Sequence, residues 1–172
     1  MLFDTPSDGQ AIISPCGMYR YTLHRRVECT LRWVKPVLFV MLNPSTADAT
    51  KDDPTIRRCI SFTKALGGTS LTVVNLFAFR SSSPEALKLA PDPVGPDNDN
   101  HIREQIERHS LGIIIAAWGA HKFTLSREFQ VYNYGHPKWS CLGKTKGGSP
   151  RHPLYVRSNT ELQEFKAFNT VR

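Results

Sequence analysis

No apolar stretch of this sequence is long enough to cross a membrane. The longest uninterrupted apolar runs, Val37–Leu42 and Ile113–Trp118, have six residues each, whereas a transmembrane helix needs about 20. The first residues, Met1 to Pro6, also lack the basic start and the apolar segment of a secretory signal peptide. We therefore expect a cytoplasmic protein that does not contact membranes.

Metal-binding and redox motifs are also missing. The four cysteines, Cys16, Cys29, Cys59 and Cys141, are far apart and form no C-x-x-C pair, which gives no support to a zinc ribbon or a thioredoxin-type centre. We expect free thiols, with Cys59 and Cys141 buried as small hydrophobic residues. We predict a protein without metal or cofactor.

Acidic residues are absent from a long stretch near the C-terminus. Between Glu128 and Glu161 there is no acid, while aromatic residues and glycines lie among five basic residues. The five are Lys138, Lys144, Lys146, Arg151 and Arg157. Basic side chains interleaved with aromatic rings suit a phosphate backbone with stacking bases, so we expect DNA or a nucleotide as partner. A solvated face of a mildly basic protein would have the same composition.

Length and composition predict a single globular domain. The 172 residues are 40% hydrophobic and carry a net charge of +7, which is enough chain to bury a core without disulfide or metal. We assign the domain to residues 17–172 and a loosely ordered arm to residues 1–16, which are polar. The charge excess lies in residues 17–36 and 111–172, whereas residues 37–110 are nearly neutral.

Apolar strands alternate with amphipathic helices along the chain. A continuous apolar run, typical of a strand buried on both faces, occurs at Val37–Leu42, and further buried strands are predicted at Leu71–Phe77, Leu111–Trp118 and near Trp139–Leu142. Helices are predicted to begin at Asp53-Pro54, Ser83-Pro84, Asp97 or Asn98, Ala120 and Thr160, the last of them running to Phe168. Such alternation predicts βαβ units and a mostly parallel sheet.

The fold class is therefore α/β, and we expect a three-layer α/β/α sandwich with a mostly parallel central sheet. Met18–Val27 and Thr30–Val34 alternate between polar and apolar residues. This pattern predicts an N-terminal β-hairpin, which we place at an edge of the sheet.

Polar and aromatic residues follow the predicted strands, where an open α/β sheet binds its ligands. As candidates for substrate contact these segments supply Pro44, Ser45, Asn75, Phe77, Trp118 and Tyr155, and as candidates for phosphate contact Arg58, Arg80, Lys144, Lys146 and Arg151. We expect these segments to converge on one cleft. Amides, imidazoles, aromatic rings and cations together suit a nucleobase and its phosphate.

Several stretches resemble a bacterial and phage family known only as a domain of unknown function. They are Met41–Asp48, Asp53–Arg58, Asn75–Arg80, Gly95–Asp99 and Gly148–Tyr155. The likeness extends over residues 18–157, and its most specific part is the stretch from Asn43 to Asp48.

A more distant resemblance is to the uracil-DNA glycosylase superfamily, whose first motif is a strand followed by Asn-Pro or Asp-Pro. Here that motif is Asn43-Pro44, and His152-Pro153 matches the start of the last motif. The resemblance implies that Asn43 positions the water attacking C1′ of the sugar. It implies further that His152 donates a hydrogen bond to the departing base and that Asn75 distinguishes the base. The aromatic residue that normally follows the first motif is missing, and Phe77, Phe79 or Tyr155 would have to stack on the base instead.

We therefore expect an enzyme that hydrolyses the N-glycosidic bond of an uncommon or modified base, in DNA or a nucleotide, without metal. Two alternatives stay open. One is a non-catalytic protein that binds nucleic acid or nucleotides. The other is a nucleotide hydrolase or transferase in which Asp48 or Asp52 acts with a divalent cation, and Asp48 is accordingly a third candidate catalytic residue.

Overall fold

A computed structural model describes residues 9–28, 34–135 and 138–167 of the chain. Within these ranges the protein is mixed α/β, with one open seven-stranded sheet and four α-helices. The strands are β1 (Gln10–Ile13), β2 (Arg20–Arg26), β3 (Pro36–Met41), β4 (Ser70–Asn75), β5 (Ile113–Ala116), β6 (Trp139–Cys141) and β7 (Gln163–Glu164). The helices are α1 (Pro54–Ala65), α2 (Pro84–Leu89), α3 (Asn98–Arg108) and α4 (Leu125–Tyr132). None of the helices described is both long and apolar enough to pass through a lipid bilayer.

The sheet has the strand order β1-β2-β4-β3-β5-β6-β7. Its four central strands run parallel, whereas β1, β2 and β7 join through antiparallel pairings. The expected parallel sheet is thus confirmed for the centre only. From β3 the chain passes first to β4 on one side and later to β5 on the other. The strand order therefore reverses at β3, and this reversal determines where a cleft can open.

Helices cover both faces of the central strands. Leu38 and Val40 of β3 pack towards α2, α3 and α4, whereas Val37 and Phe39 pack towards α1. All four side chains are fully buried, and each contributes about 1.5–3 kcal/mol to folding through the apolar surface it removes from water. Burial on both faces is the reason why this strand has no polar residue.

Helix α1 begins where the sequence predicts. The Asp53 side chain accepts a hydrogen bond from the Ile56 N–H at 2.8 Å, and Pro54 takes the first helical position. At the other end, a Cβ on Gly68 would lie 2.8 Å from a methyl carbon of Val37. Glycine is therefore required for the turn to pack against β3.

The edge hairpin is formed by different segments from those predicted. β2 corresponds to Met18–Val27, but its hairpin partner is β1, which lies in the predicted N-terminal arm. The predicted partner Thr30–Val34 lies outside the described residues except for Val34. Both edges of β2 are already occupied, because Leu23 pairs with β1 on one side and with β4 on the other.

The helix predicted from Thr160 to Phe168 is wrong. Gln163–Glu164 form β7, antiparallel to β6, and the N–H of Phe165 donates to the Trp139 carbonyl at 2.9 Å. The Phe165 side chain is buried in the core. Pairing with the free edge of β6 and burial of this ring outweigh the local helix preference. Phe168 itself lies outside the described residues.

The cysteines agree with the prediction as far as they are described. Cys59 and Cys141 are buried free thiols, and Cys16 is an exposed one. Burial raises the pKa of the Cys59 and Cys141 thiols, so both stay protonated and unreactive at neutral pH. Cys29 lies outside the described residues.

Candidate functional site

A cleft of about 680 Å³ opens at the carboxyl ends of the parallel strands. Its walls come from the segments that follow β3, β4, β5 and β6, together with one residue of β2. Because the strand order reverses at β3, the loops after β3 and β5 turn away from each other and leave space between them. The fold thus creates a ligand-sized cavity at the edge where the parallel strands end.

Eight of the predicted site residues line this cleft. They are Asn43, Ser45, Asn75, Trp118, Lys146, Arg151, His152 and Tyr155. They come from four separate stretches of sequence, so their proximity is a product of the sheet topology.

The amide of Asn43 is held in one orientation. Its Nδ2 donates to the carbonyls of Ser81 at 2.8 Å and Pro44 at 3.1 Å. Both N–H groups of the amide are therefore used by the main chain. The Oδ1 atom is left to accept a hydrogen bond from a ligand or a water molecule in the cleft.

His152 is held as a hydrogen-bond donor. Its Nδ1 accepts from the Leu154 N–H at 3.3 Å, so the neutral ring carries its proton on Nε2. Burial lowers the pKa of His152, the neighbouring His121 lowers it further, and Asp53 opposes both effects. At neutral pH the ring is therefore an uncharged donor.

His121, which is not among the predicted site residues, lies next to His152 in the cleft. The two histidines flank Gly119, whose φ is +81°. A Cβ built on Gly119 would lie 3.6 Å from Nε2 of His121 and 3.8 Å from Cβ of His152. Burial lowers the pKa of His121, assisted by Lys88 and opposed by Glu85. The cleft therefore holds a pair of uncharged imidazoles.

Arg20 is a cleft residue that the sequence did not reveal. It lies in β2, is 2% exposed, and donates from Nη1 to the Ala47 carbonyl at 2.6 Å. Its buried Nε has no hydrogen-bond partner, and within the described part of the chain Arg20 forms no ion pair. Burial lowers the pKa of Arg20 to about 10, an effect that Asp53 opposes, so the side chain remains a cation. An arginine in an alternating strand is typical of a solvent-facing position, which is why no sequence signal marked it.

Asp53 has a second role besides capping α1. The sequence predicts it only as the helix cap, but its half-buried carboxylate also lines the cleft. The capping bond uses Oδ1 alone. The cleft therefore contains one carboxylate with an oxygen that the cap does not use.

Asn75 lies at the bottom of the cleft, at the end of β4. Its Nδ2 is buried and has no hydrogen-bond partner among the described residues. The Asn75 carbonyl accepts from Nδ2 of Asn98, which also donates to Leu76. The first residue of α3 thus fixes the strand end from which Asn75 projects.

Trp118 forms a wall of the cleft without offering a face for stacking. Its side chain is fully buried, with ring centroids 5.4 Å from Phe165 and 6.2 Å from Trp139 in edge-to-face arrangements. Tyr155 differs, because it is 79% exposed at the rim, 5.6 Å from the His152 ring. Tyr155 is the aromatic ring that a ligand can reach.

Six predicted residues lie outside the cleft lining. They are Pro44, Asp48, Arg58, Phe77, Arg80 and Lys144. Asp48 closes its own turn, with Oδ1 accepting from the N–H groups of Thr50 and Lys51. Phe77 is a core residue packed against Phe123. Arg80 donates to the Gly17 carbonyl at 3.3 Å.

Arg58 holds the turn that carries His152. Its Nε and Nη2 donate to the carbonyls of Pro153 and Val156, and its guanidinium lies 4.8 Å above the Phe62 ring. Arg58 was predicted to contact phosphate. Its donors are instead directed at the main chain, which ties α1 to the segment after β6.

The carboxylates suggested for a divalent cation are engaged elsewhere. Asp52 forms an ion pair with Arg25 at 2.8 Å, and Asp48 is occupied by its turn. In the ranges that the structure covers, no three His, Cys, Asp or Glu side chains are grouped to hold a metal ion.

The fold and the cleft define an α/β protein with a candidate ligand site at the reversal point of its sheet. A family model described as "Protein of unknown function (DUF1643)" matches residues 20–154, and the chain belongs to this family. No curated protein and no solved structure matches the chain.

Proposed function

We propose that this protein hydrolyses the N-glycosidic bond of an uncommon or modified base in DNA or a nucleotide. The observation that carries the proposal is the meeting of Asn43, Asn75 and His152 in a single cleft. These are the three residues to which the resemblance to the uracil-DNA glycosylase superfamily gives roles. Successive residues of the three lie 32 and 77 positions apart in sequence. Their proximity therefore depends on the fold and does not follow from neighbourhood along the chain.

The chemistry of each group suits the reaction. Oδ1 of Asn43 accepts a hydrogen bond from a water molecule and orients its oxygen towards C1′. As the bond between C1′ and the base nitrogen breaks, its electron pair leaves with the base. The Nε2–H of His152 donates to the negative charge that develops there, and one donor aimed at such a charge typically contributes about 10²–10³ in rate.

Recognition of the substrate is divided between the floor and the rim. Asn75 at the floor is available to an edge of the base. Tyr155 at the rim offers a stacking face, and Lys146 and Arg151 beside it offer charge to phosphate. The helices on both faces and the parallel centre of the sheet support a three-layer sandwich of the glycosylase type.

The test is formation of abasic sites on oligonucleotides that contain uracil, hypoxanthine or modified bases. The wild-type protein is expected to release at least one base, and Asn43→Ala and His152→Gln are expected to lower the rate at least 100-fold. Asn133→Ala and His101→Gln, which change the same residue types outside the cleft, are the matched controls.

Other outcomes favour the alternatives. Binding of DNA by folded wild-type protein without product on any base would indicate a non-catalytic binder. Activity that requires magnesium and stops with a chelator would indicate the cation-dependent hydrolase or transferase.

A further inference from the structure

Hydrolysis needs a proton acceptor that the roles above do not supply. A water molecule that bonds to C1′ has to lose a proton. The amide of Asn43 cannot take it, and His152 has Nδ1 occupied by Leu154 and a proton on Nε2. A second group in the cleft therefore has to act as base.

Among the described residues that line the cleft, Asp53 and His121 are the remaining side chains able to accept a proton at neutral pH. His121 belongs to the loop after β5 and lies next to His152. Asp53 belongs to the loop between β3 and α1, the same loop as Asn43. The attacking water is oriented from that loop, which favours Asp53.

We infer that Asp53 is the catalytic base, which takes a proton from the water molecule oriented by Asn43. This inference rests on the proposed function. Oδ2 of Asp53 receives one proton of the water as the oxygen bonds to C1′. The bond between C1′ and the base nitrogen breaks, and the electron pair leaves with the base, which His152 stabilises. The proton then passes from Asp53 to the departed base or to solvent.

The helix cap holds the carboxylate ready for this step. The 2.8 Å bond from the Ile56 N–H fixes Oδ1 and leaves Oδ2 for the water. The carboxylate is thus oriented before substrate arrives.

Arg20 adds charge without blocking the carboxylate. Its buried cation acts electrostatically on Asp53, yet no ion pair joins the two side chains. A direct salt bridge would occupy Oδ2, the atom that has to accept the proton. The buried Arg20 cation, whose Nε has no hydrogen-bond partner among the described residues, attracts the Asp53 carboxylate without occupying it.

The first test is Asp53→Asn, measured on the substrate from which the wild-type protein releases a base. Asparagine caps helices as well as aspartate does, so the melting temperature should be unchanged. The kcat should fall about 100-fold or more, since a general base contributes 10²–10⁴ in rate, with KM within about threefold. Asp52→Asn, which removes the neighbouring carboxylate outside the cleft, is the matched control.

The second test is chemical rescue. Asp53→Ser keeps a capping side chain but leaves space where the carboxylate was, so added formate should restore part of the lost rate. A purely structural role would show no rescue. Asp53→Asn activity within threefold of wild type would overturn the inference but leave the proposed function standing, provided that Asn43→Ala and His152→Gln lose activity. Wild-type protein that releases no base overturns both.

Discussion

At the scale of single residues, two glycines have the same left-handed backbone conformation, but only one of them lies in the cleft. Gly119 and Gly17 both have positive φ, at +81° and +72°. A Cβ on Gly119 would contact His121 and His152, whereas one on Gly17 would meet no atom within 4 Å. The pair therefore allows backbone strain beside the two histidines to be compared with the same strain outside the cleft.

Alanine at either glycine should lower the free energy of unfolding by about 1–2 kcal/mol, because the left-handed region penalises a Cβ. Gly119→Ala alone should also reduce base release, because its strained backbone lies in the cleft wall next to His121, whereas Gly17 lies outside the cleft lining. Chemical denaturation and the activity assay measure the two effects. Equal activity in the two variants would contradict the role given to the histidine pair.

Arg20 and Arg25 form a second matched pair of residues. Both donate to carbonyls of the loop after β3, to Ala47 and Asp48 respectively, but Arg20 alone lines the cleft. Arg20→Gln should lower kcat more than Arg25→Gln, because glutamine keeps a donor for the carbonyl and removes the charge near Asp53. Steady-state kinetics measure kcat for the two variants. Equal kcat values would contradict an electrostatic role of Arg20 beside Asp53.

The residues that sequence analysis found and missed differ in a physical way. Asn43 and His152 were found because each belongs to a short motif next to a proline. The capping role of Asp53 was predicted from the Asp-Pro pair. Its place in the cleft lining was not predicted, because it depends on the conformation of the loop between β3 and α1. Asp48 and Phe77 were chosen for their residue type, which does not distinguish a turn or core position from a site.

At the scale of elements, the link between α1 and the turn after His152 depends on one side chain. In Arg58→Ala the carbonyls of Pro153 and Val156 lose their hydrogen-bond donor. His152 is then no longer held in position, so kcat should fall by a larger factor than KM rises. Arg58→Lys should retain part of the activity. Arg57→Ala, an exposed neighbour on α1, is the control. Wild-type kcat in Arg58→Ala would show that the link does not position His152.

Strand β7 is expected to contribute to stability through Phe165. The buried ring packs against Trp118, so Phe165→Ala should cost about 3–5 kcal/mol in the free energy of unfolding. Phe129→Ala, at a half-exposed position on α4, should cost much less. Urea denaturation measures both, and a loss below about 1 kcal/mol for Phe165→Ala would contradict the position of β7.

Elements with strong local signals were predicted well. β3 is a continuous apolar run, β4 carries Leu71, Val73 and Val74, and α1 begins at a predicted cap. β7 and β1 could not be predicted in this way, because both are short. β7 forms by pairing with β6, which is distant in sequence, and β1 forms by pairing with β2 across a turn. The segment before Phe168 has a helix-like pattern, but pairing with β6 and burial of Phe165 favour a strand instead.

For the whole molecule, the uneven charge sets the expected response to salt. The basic stretch between Glu128 and Glu161 contributes Lys146 and Arg151 to the cleft. Replacing both by alanine should weaken DNA binding and reduce the slope of log K against log salt by about two. The exposed pair Lys64 and Arg108, away from the cleft, is the control. Identical slopes for the two double variants would argue against phosphate at this rim.

The central claim is that the cleft breaks N-glycosidic bonds, and detection of the released base tests it most directly. Oligonucleotides with a panel of modified bases would be incubated with the wild-type protein and with Asn43→Ala, and the free base would be measured by mass spectrometry. We predict a free base and a matching abasic strand with wild type, reduced at least 100-fold in the variant. Wild-type protein that is folded and binds the oligonucleotides but releases no base from any of them would contradict the claim.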